Sequence, residues 1–210
     1  MSVTVLFDAV FDRAEAGRAA PFTVRHPTGG EHRFDPAVWC RDDLPGDETL
    51  LARCTGPTLD VGCGPGRLAG ALAHRGCPAL GIDVSGTAVR LARRRGASAL
   101  RRDVFDPLPG TGRWHHLLLA DGNIGIGGDP ARLLRRCRHL LAPDGRLHVE
   151  AAAPGTPGWS GPARVDGGGT DLPWACVPLD DLPALAAASA MRLLETWTGA
   201  DRWFATLIPH

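Results

Sequence analysis

Short apolar runs alternate with helix-like segments along most of this 210-residue chain. An apolar run of about four to eight residues between turn residues predicts a buried strand, and apolar residues spaced three and four apart predict one face of a helix. Helices are expected over 67–75, from about residue 85, over 130–141 and over 179–190, and strands at 58–61, 79–83, 114–120, 146–150, 191–197 and 203–208. Strands alternating with helices are typical of an α/β fold with a mostly parallel sheet.

The front of the chain has a different pattern. Apolar residues at helical spacing predict an amphipathic helix over 2–16, and the runs 22–26 and 31–34 flank a Pro-Thr-Gly-Gly turn, which predicts a β-hairpin. We therefore divide the chain into an N-terminal cap or lid segment, 1–45, and a main domain, 46–210. The sequence is consistent with two roles for this segment: a lid over a ligand, or a purely structural cap.

Two features mark the back half. Residues 151–177 are rich in Gly and Pro, and a long irregular stretch of this kind is more often a binding loop than filler. The strands expected at 191–197 and 203–208 are joined by a Thr-Gly-Ala-Asp-Arg turn, which predicts an antiparallel pair. A turn is also expected at 143–145, ahead of the strand at 146–150.

The most informative segment runs from Thr58 to Leu68. Gly62, Gly64 and Gly66 stand on alternate residues after a buried strand, so a ligand can approach the backbone closely. The dinucleotide fingerprint Gly-x-Gly-x-x-Gly requires a third glycine where this chain has Arg67. The segment therefore predicts a nucleotide-type site of another kind.

An acidic residue follows at the expected distance. Asp83 ends the next predicted strand, roughly 20 residues after the glycines, where a nucleotide-binding α/β fold places the acid that accepts hydrogen bonds from ribose hydroxyls. The alternative is that Asp83 only caps the helix that begins near Ser85.

These residues, with Asp60 before the glycines and the Asp103-to-Pro109 segment, resemble the class I S-adenosylmethionine (SAM)-dependent methyltransferases. The resemblance implies an α/β, three-layer Rossmann-like fold, with helices on both faces of a seven-stranded, mostly parallel sheet whose C-terminal strand is antiparallel. It implies SAM as the cofactor and S-adenosylhomocysteine as its product. The cofactor-binding residues that it implies are Asp60, Gly62, Cys63, Gly64, Gly66, Asp83, Val84, Asp103, Val104, Ala120 and Asp121.

The resemblance also assigns roles. Asp103 would accept from the adenine amine and the Val104 N–H would donate to the ring, while Ala120 and Asp121 would contact the methionine part of SAM. The glycine-rich loop 121–128 lacks the Asn/Asp-Pro-Pro-aromatic motif of the nucleobase and glutamine N-methyltransferases, which argues against those acceptors. Asn123 in this loop is the candidate catalytic residue, as a group that orients the substrate, although it would equally serve to hold the loop in shape.

The composition of the chain limits its expected partners and cellular location. The formal net charge is zero, which argues against binding to nucleic acid or to an anionic membrane. All 23 basic residues are Arg, and the chain has no Lys, Tyr or Gln, a bias typical of a high-GC genome such as that of an actinobacterium. Without an apolar run of membrane length or a basic, apolar leader, we expect a cytoplasmic protein.

The cysteines and histidines carry no recognisable site. Six cysteines without a Cys-x-x-Cys pair predict reduced, mostly structural thiols, with no disulfide framework and no metal site. Five histidines are possible general bases, but a structural role is the commoner outcome for each and none is assigned as catalytic: His26, His32, His115, His116 and His148. His115 and His116 are neighbours on a strand and must face opposite ways.

Three functions remain in view. The first is methyl transfer to O, N or C of a small-molecule acceptor, such as a secondary metabolite. The second is different chemistry by a SAM-binding enzyme of the same fold, such as cyclisation or decarboxylation. The third is a non-catalytic SAM-binding module. The intact glycines and the three acids Asp60, Asp83 and Asp103 count against the third, since a degenerate module would be free to lose them.

Overall fold

The computed structural model describes residues 2–19, 21–166 and 169–210; Met1 and Ala20 of the predicted cap and the glycines 167 and 168 of the predicted binding loop lie outside the described residues. The helices are α1 (Val3–Glu15), α2 (Pro36–Trp39), α3 (Asp47–Leu51), α4 (Arg67–His74), α5 (Gly86–Arg94), α6 (Pro130–Leu140) and α7 (Leu182–Ala187). The strands are β1 (Phe22–Arg25), β2 (Glu31–Phe34), β3 (Thr58–Val61), β4 (Ala79–Asp83), β5 (Ala99–Arg101), β6 (Trp114–Leu119), β7 (Leu141–Ala151), β8 (Trp159–Gly161), β9 (Arg164–Val165), β10 (Trp174–Cys176), β11 (Met191–Gly199) and β12 (Arg202–Pro209).

A seven-stranded sheet forms the centre of the molecule, in the order β11-β12-β7-β6-β3-β4-β5. The five strands from β7 to β5 are mutually parallel, while β12 runs antiparallel to both β7 and β11. This confirms the predicted fold class. Parallel neighbours bring the carboxyl ends of β3, β4 and β6 to one edge, where ligands bind in open α/β sheets.

Helices cover both faces of this sheet. Alternate residues of β6 show why: Leu117 and Leu119 pack with α6 and α7 on one face, and Leu118 packs with α3 and α4 on the other. Because successive side chains of a strand point to opposite faces, a strand buried on both sides is a continuous apolar run. The run at 117–119 is therefore wholly buried.

Local signals place the helix starts. Asp129 caps α6, its Oδ1 accepting the Arg132 N–H over 2.9 Å, and Pro130 occupies the first turn as predicted. Ser85 caps α5, its Oγ accepting the Ala88 N–H over 3.1 Å. The cap position of α5 therefore belongs to Ser85 and not to Asp83.

Two boundaries differ from the sequence prediction. The turn expected at 143–145 lies within β7, which begins at Leu141 directly after α6; Leu141 pairs with Trp114 and Arg146 with His116, so the extra residues form a bulge in a continuing strand. The helix expected over 179–190 is a 3-10 turn (Leu179–Asp181) followed by the shorter α7.

The cap segment contains the predicted helix and hairpin, as α1 and the β1–β2 pair. The structure adds β9, which pairs with β1 to give a three-stranded antiparallel sheet. Residues after β7 thus complete a unit that begins in 1–45, because Leu6, Val24, Phe34 and Trp174 share one apolar cluster. Within the described part of the chain, every helix is too short or too polar to cross a bilayer.

Candidate functional site

A cavity of about 600 Å³ opens at the carboxyl ends of β3, β4 and β6. All of the predicted cofactor residues except Gly66 line it, and Asn123 does so too. They come from four separate loops, which the parallel strands bring to one edge. The volume lies within the range of about 300–1,000 Å³ typical of small-molecule sites.

The glycine loop between β3 and α4 forms the floor of the cavity. Gly62, Gly64 and Gly66 have φ of 69°, 52° and 83°, a left-handed conformation that favours glycine. Gly66 acts by packing rather than by ligand contact, since a Cβ there would lie 2.6 Å from the Cβ of Ala92 in α5. It allows α4 and α5 to approach closely.

Asp83 joins this loop to the start of α5. Its Oδ2 accepts the Gly64 N–H over 2.9 Å and its Oδ1 accepts the Ser85 N–H over 2.8 Å. Burial raises the pKa of Asp83 to about 6, although these two backbone bonds oppose the rise. A carboxylate held in place at the cavity wall is suited to accept further hydrogen bonds from hydroxyl groups.

Asp60 lies beneath the loop and is only 2% exposed. Its Oδ2 accepts the Ala69 N–H over 3.2 Å. Burial raises the pKa of Asp60 to about 7, and the nearby carboxylates of Asp121 and Asp83 add to the rise, while Arg67 opposes it. The floor of the cavity is therefore rich in acidic groups.

The third predicted segment follows β5. Val104 is buried and Asp103 is exposed at the cavity wall, where its Oδ1 accepts the Phe105 N–H over 2.9 Å. The guanidinium of Arg132 stacks on the Phe105 ring at 3.9 Å from its centroid. These contacts fix a short turn with a flat aromatic face at this end of the cavity.

Asn123 lies in the 3-10 turn after β6. Its Nδ2 donates to the carbonyl oxygens of Val61 and Gly62, each over 3.0 Å. Both amide hydrogens are therefore used to hold the glycine loop. Of the two roles that the sequence left open, these contacts favour the shaping of the loop.

Sequence reasoning missed a network of ion pairs beside the cavity. Arg67, at the position of the missing third glycine, is buried and forms ion pairs with Asp47 and Asp121. Arg202 completes the network, with distances of 2.8 Å to Asp47, 2.8 Å to Glu150 and 3.4 Å to Asp121. The only feature of the sequence that pointed to this network was Arg67 in place of the third glycine of the fingerprint. The residues that pair with Arg67 come from distant parts of the chain, so no sequence spacing indicates them.

The network sets the conformation of Asp121. This residue has φ of 54°, uncommon for a residue with a side chain, and its N–H donates to Glu150 Oε2 over 2.6 Å. Burial opposes ionisation of Asp47, but hydrogen bonds from Arg67 and Arg202 lower its pKa overall. Two guanidinium groups thus hold three carboxylates in place beside the loop that follows β6.

The cap forms the wall opposite the strand ends. Phe7, Phe11, Phe34 and Trp39 line the cavity from this side, together with Trp174. The helix α1 is tied to α5, because Asp8 Oδ1 accepts the Ser85 hydroxyl over 2.6 Å and the Thr87 N–H over 3.1 Å.

Comparison with known proteins gives the family. Residues 58–145 match the family model described as a methyltransferase domain. This part of the chain is similar to the methyltransferase domain family. The match spans the glycine loop, Asp83, Asp103 and Asn123, so it covers the segments that carried the resemblance and confirms it.

Curated relatives match about half of this chain. An uncharacterized 37.1 kDa protein in transposon TN4556 of Streptomyces fradiae is 36% identical over 53% of this chain, and the ubiquinone biosynthesis O-methyltransferase of Xylella fastidiosa is 34% identical over 43% of it. The matches span 33% and 39% of these relatives. The chain thus spans little more than a third of the length of the curated relatives that it matches.

Solved structures share the whole fold. A SAM-dependent methyltransferase from Bacteroides fragilis, in complex with S-adenosyl-L-homocysteine, has a TM-score of 0.77 at 23% identity, covering 97% of this chain and 94% of that one. The 1,6-didemethyltoxoflavin-N1-methyltransferase of Burkholderia thailandensis has a TM-score of 0.65 at 19% identity, covering 97% and 86%. At these identities the likeness shows the fold.

His116 and His148, two of the five histidines considered as possible general bases, lie outside the lining of the cavity. His116 and His148 are buried in neighbouring strands, with His116 Nδ1 3.0 Å from His148 Nε2. The Thr55 N–H donates to His116 Nε2, so His116 Nδ1 carries the proton and donates to His148, whose own Nδ1 faces Thr206 Oγ1 at 3.0 Å. His115 is exposed on the opposite face, as its position on the strand predicts.

The six cysteines are unpaired. Cys63 is buried beneath the glycine loop, and burial raises the pKa of its thiol well above the usual value. Cys54 Sγ lies within 4.8 Å of the ligand atoms of His116 and His148, but the imidazole nitrogens of this cluster are already engaged in the hydrogen-bond chain. The prediction that the chain has no metal site stays a prediction.

Proposed function

We propose that this chain binds SAM and transfers its methyl group to a small-molecule acceptor. The observation that carries the proposal is the cavity at the strand ends, where ten of the eleven predicted cofactor residues meet on the same wall. The family match of residues 58–145 supports the same activity.

The chemistry of the cavity suits this cofactor. When bound, SAM supplies a methyl group on a positively charged sulfur, which leaves as a neutral thioether while the acceptor loses a proton. The carboxylates of Asp60, Asp83, Asp103 and Asp121 line the cavity, and they would favour a ligand that carries a sulfonium and an ammonium group.

Each residue has a task in this proposal. Asp83 accepts the ribose hydroxyls, and Asp103 with the Val104 N–H holds the adenine beside Phe105. Asp121, fixed by Arg67 and Glu150, lies at the methionine end. Asn123 keeps the glycine loop in the shape that the ligand requires.

The cap supports an acceptor of small size. The helix α1 and the hairpin cover the cavity, so a large substrate would have to displace them. We propose that this segment acts as a lid that excludes water during transfer. The names of the Burkholderia neighbour and of the Xylella relative, quoted above, both specify small-molecule methylation, and the zero net charge favours such acceptors over nucleic acid. The unpaired cysteines support a cytoplasmic location.

Calorimetric titration of the chain with SAM, S-adenosylhomocysteine and NADH tests the binding. We expect saturable heat from the first two and none from NADH. Asp83→Asn should weaken SAM at least about tenfold, because hydrogen bonds to a charged group contribute roughly 1.5–3 kcal/mol each. Asp144→Asn, in the exposed bulge of β7, is the matched control and should bind normally.

The transfer itself needs a second measurement. Labelled methyl groups should pass from SAM to at least one member of a panel of phenols, amines and carboxylates. Binding without transfer to any of them would favour the other two functions. Equal binding of NADH and SAM would contradict the cofactor assignment.

A further inference from the structure

The cavity has two chemically different halves. The charged residues that line it all come from the strand-end side, between Asp60 and Arg132. The lining residues that come from 3–39 and from 172–174 are uncharged. The first half contains the proposed cofactor residues, so the second half is the space left for the acceptor.

Five aromatic side chains line this second half, and four of them are here called the aromatic wall: Phe7, Phe34, Trp39 and Trp174. Phe34 lies at its centre, with its ring centroid 5.6 Å from that of Trp39 and 5.2 Å from that of Trp174, in edge-to-face contacts. Phe7 lies 6.4 Å from Trp39. Phe7 and Trp39 are partly exposed, and a flat ring packs well against an aromatic surface.

The wall is held in place before any ligand arrives. Phe34 is 3% exposed and Trp174 is 4% exposed, and both belong to the apolar cluster that joins the cap to β10. The bonds from Ser85 and Thr87 to Asp8 fix α1, which carries Phe7. Because these rings have little freedom to lose, binding an aromatic ligand costs little further ordering.

The wall offers nothing to neutralise a charge. A charged group buried without a partner is strongly disfavoured, whereas a neutral ring loses little on leaving water. Thr4, on the same side of the cavity, offers a hydroxyl, which can bond a neutral polar substituent.

We propose that the acceptor is an uncharged, flat aromatic molecule that packs against the aromatic wall. This rests on the proposed function, since the other half of the cavity is assigned to SAM. It narrows the acceptor class from small molecules in general to neutral aromatic ones.

The test uses three probes on protein saturated with S-adenosylhomocysteine: 2-naphthol, 2-naphthoate and decahydro-2-naphthol. They share one fused two-ring framework and differ in the charge of the substituent or in the flatness of the rings. In calorimetric titration, 2-naphthol should bind at least about tenfold more tightly than 2-naphthoate, because the carboxylate would be buried unpaired. It should also bind more tightly than the saturated alcohol.

Variants locate the binding. Trp39→Leu should weaken 2-naphthol roughly fivefold, in line with the loss of aromatic contacts, and leave S-adenosylhomocysteine affinity unchanged. Trp114→Leu is the matched control, since Trp114 is also a half-buried indole but lies outside the cavity. Phe7→Leu replaces Trp39→Leu if circular dichroism shows that the latter has lost its fold.

Two results would overturn the inference. One is 2-naphthoate binding as tightly as 2-naphthol; the other is unchanged 2-naphthol affinity in folded Trp39→Leu and Phe7→Leu. The S-adenosylhomocysteine titration, made first, tests the proposed function separately. If that ligand failed to bind, the proposed function would fail, and the three probes would still test the aromatic wall on the free protein.

Discussion

Arg202 Nη2 donates to Glu150 Oε2 over 2.8 Å, and the same oxygen accepts the backbone N–H of Asp121 over 2.6 Å. A residue at the start of β12 therefore supports a carboxylate in β7 that in turn holds the first residue of the loop after β6. The antiparallel strand β12 joins β7 to the edge strand β11 and also carries the cation that shapes the cavity. Removing that cation would affect both stability and the site.

Arg202→Met should destabilise the fold by about 3 kcal/mol, because it leaves buried carboxylates without one of their cations. Urea denaturation at neutral pH measures the change in the free energy of unfolding. Arg164→Met is the control: its pair with Asp171 has side chains 75% and 72% exposed, and exposed pairs contribute about 0–1 kcal/mol. Equal losses in both variants would contradict a structural role for the network.

The affinity for SAM should rise as the pH rises from about 5 to about 7. Burial raises the pKa of Asp83 to about 6, and only its ionised form keeps a lone pair on each oxygen for a ribose hydroxyl besides the two backbone bonds. Asp60, with a pKa raised to about 7, adds a second step, since its negative charge favours a cationic ligand. Calorimetry across this range should show a shallower rise for Asp83→Asn; an affinity that falls with rising pH would contradict the charge argument.

In the protein without ligand, the same carboxyl groups make the folded state less stable as the pH rises, whereas they make SAM binding stronger. A raised folded-state pKa means that the folded state holds the proton more tightly, so the contribution of Asp83 is fully present below 3.8 and is lost as the pH rises through about 6. Bound SAM should offset this loss of stability, because it binds the ionised form of Asp83 more tightly. Melting temperatures with and without SAM should therefore diverge as the pH rises.

The buried histidine pair should make the protein acid-labile. Burial lowers the pKa of His116 to about 4 and that of His148 to about 3, from 6.5. The unfolded chain takes up protons first, so the stability is complete above 6.5 and falls as the pH falls towards 4. His148→Gln should reduce this slope in urea denaturation, whereas the exposed His139→Gln should leave it unchanged.

Asn123→Ala should lower SAM affinity by roughly tenfold, because the carbonyls of Val61 and Gly62 lose their donor and the glycine loop loosens. Asn123→Asp is the sharper variant, since it keeps the size of the side chain but cannot donate when ionised. It should weaken SAM at least as much. Unchanged SAM affinity with reduced turnover would instead assign Asn123 to the orientation of the substrate.

Gly66→Ala should destabilise the fold by about 2–4 kcal/mol, from the left-handed φ of 83° and the clash with Ala92. Gly76→Ala shares the conformation, at φ of 72°, but meets nothing within 4 Å, so it should cost about 1–2 kcal/mol. The double variant Gly66→Ala/Ala92→Gly should recover part of the difference. Strict additivity of the two changes would contradict close packing of α4 on α5.

Local patterns determined much of this protein. The apolar runs predicted six of the seven strands of the central sheet, all except the short β5, because a strand buried on both faces must be apolar throughout. Asp129 and Pro130 predicted the start of α6, and the glycines and Asp83 predicted the place of the site. These features depend on a residue and its near neighbours in the chain, so the sequence displays them directly.

Only the tertiary structure decided what depends on distant segments. The network of Asp47, Arg67, Asp121, Glu150 and Arg202 joins five parts of the chain, and its members resemble ordinary surface charges until the fold buries them together. The alternative of Asp83 as a helix cap was settled by the position of Ser85, and the contacts of Asn123 by the approach of β6 to β3. Long-range contacts of this kind have no fixed sequence spacing, because the sheet order sets them.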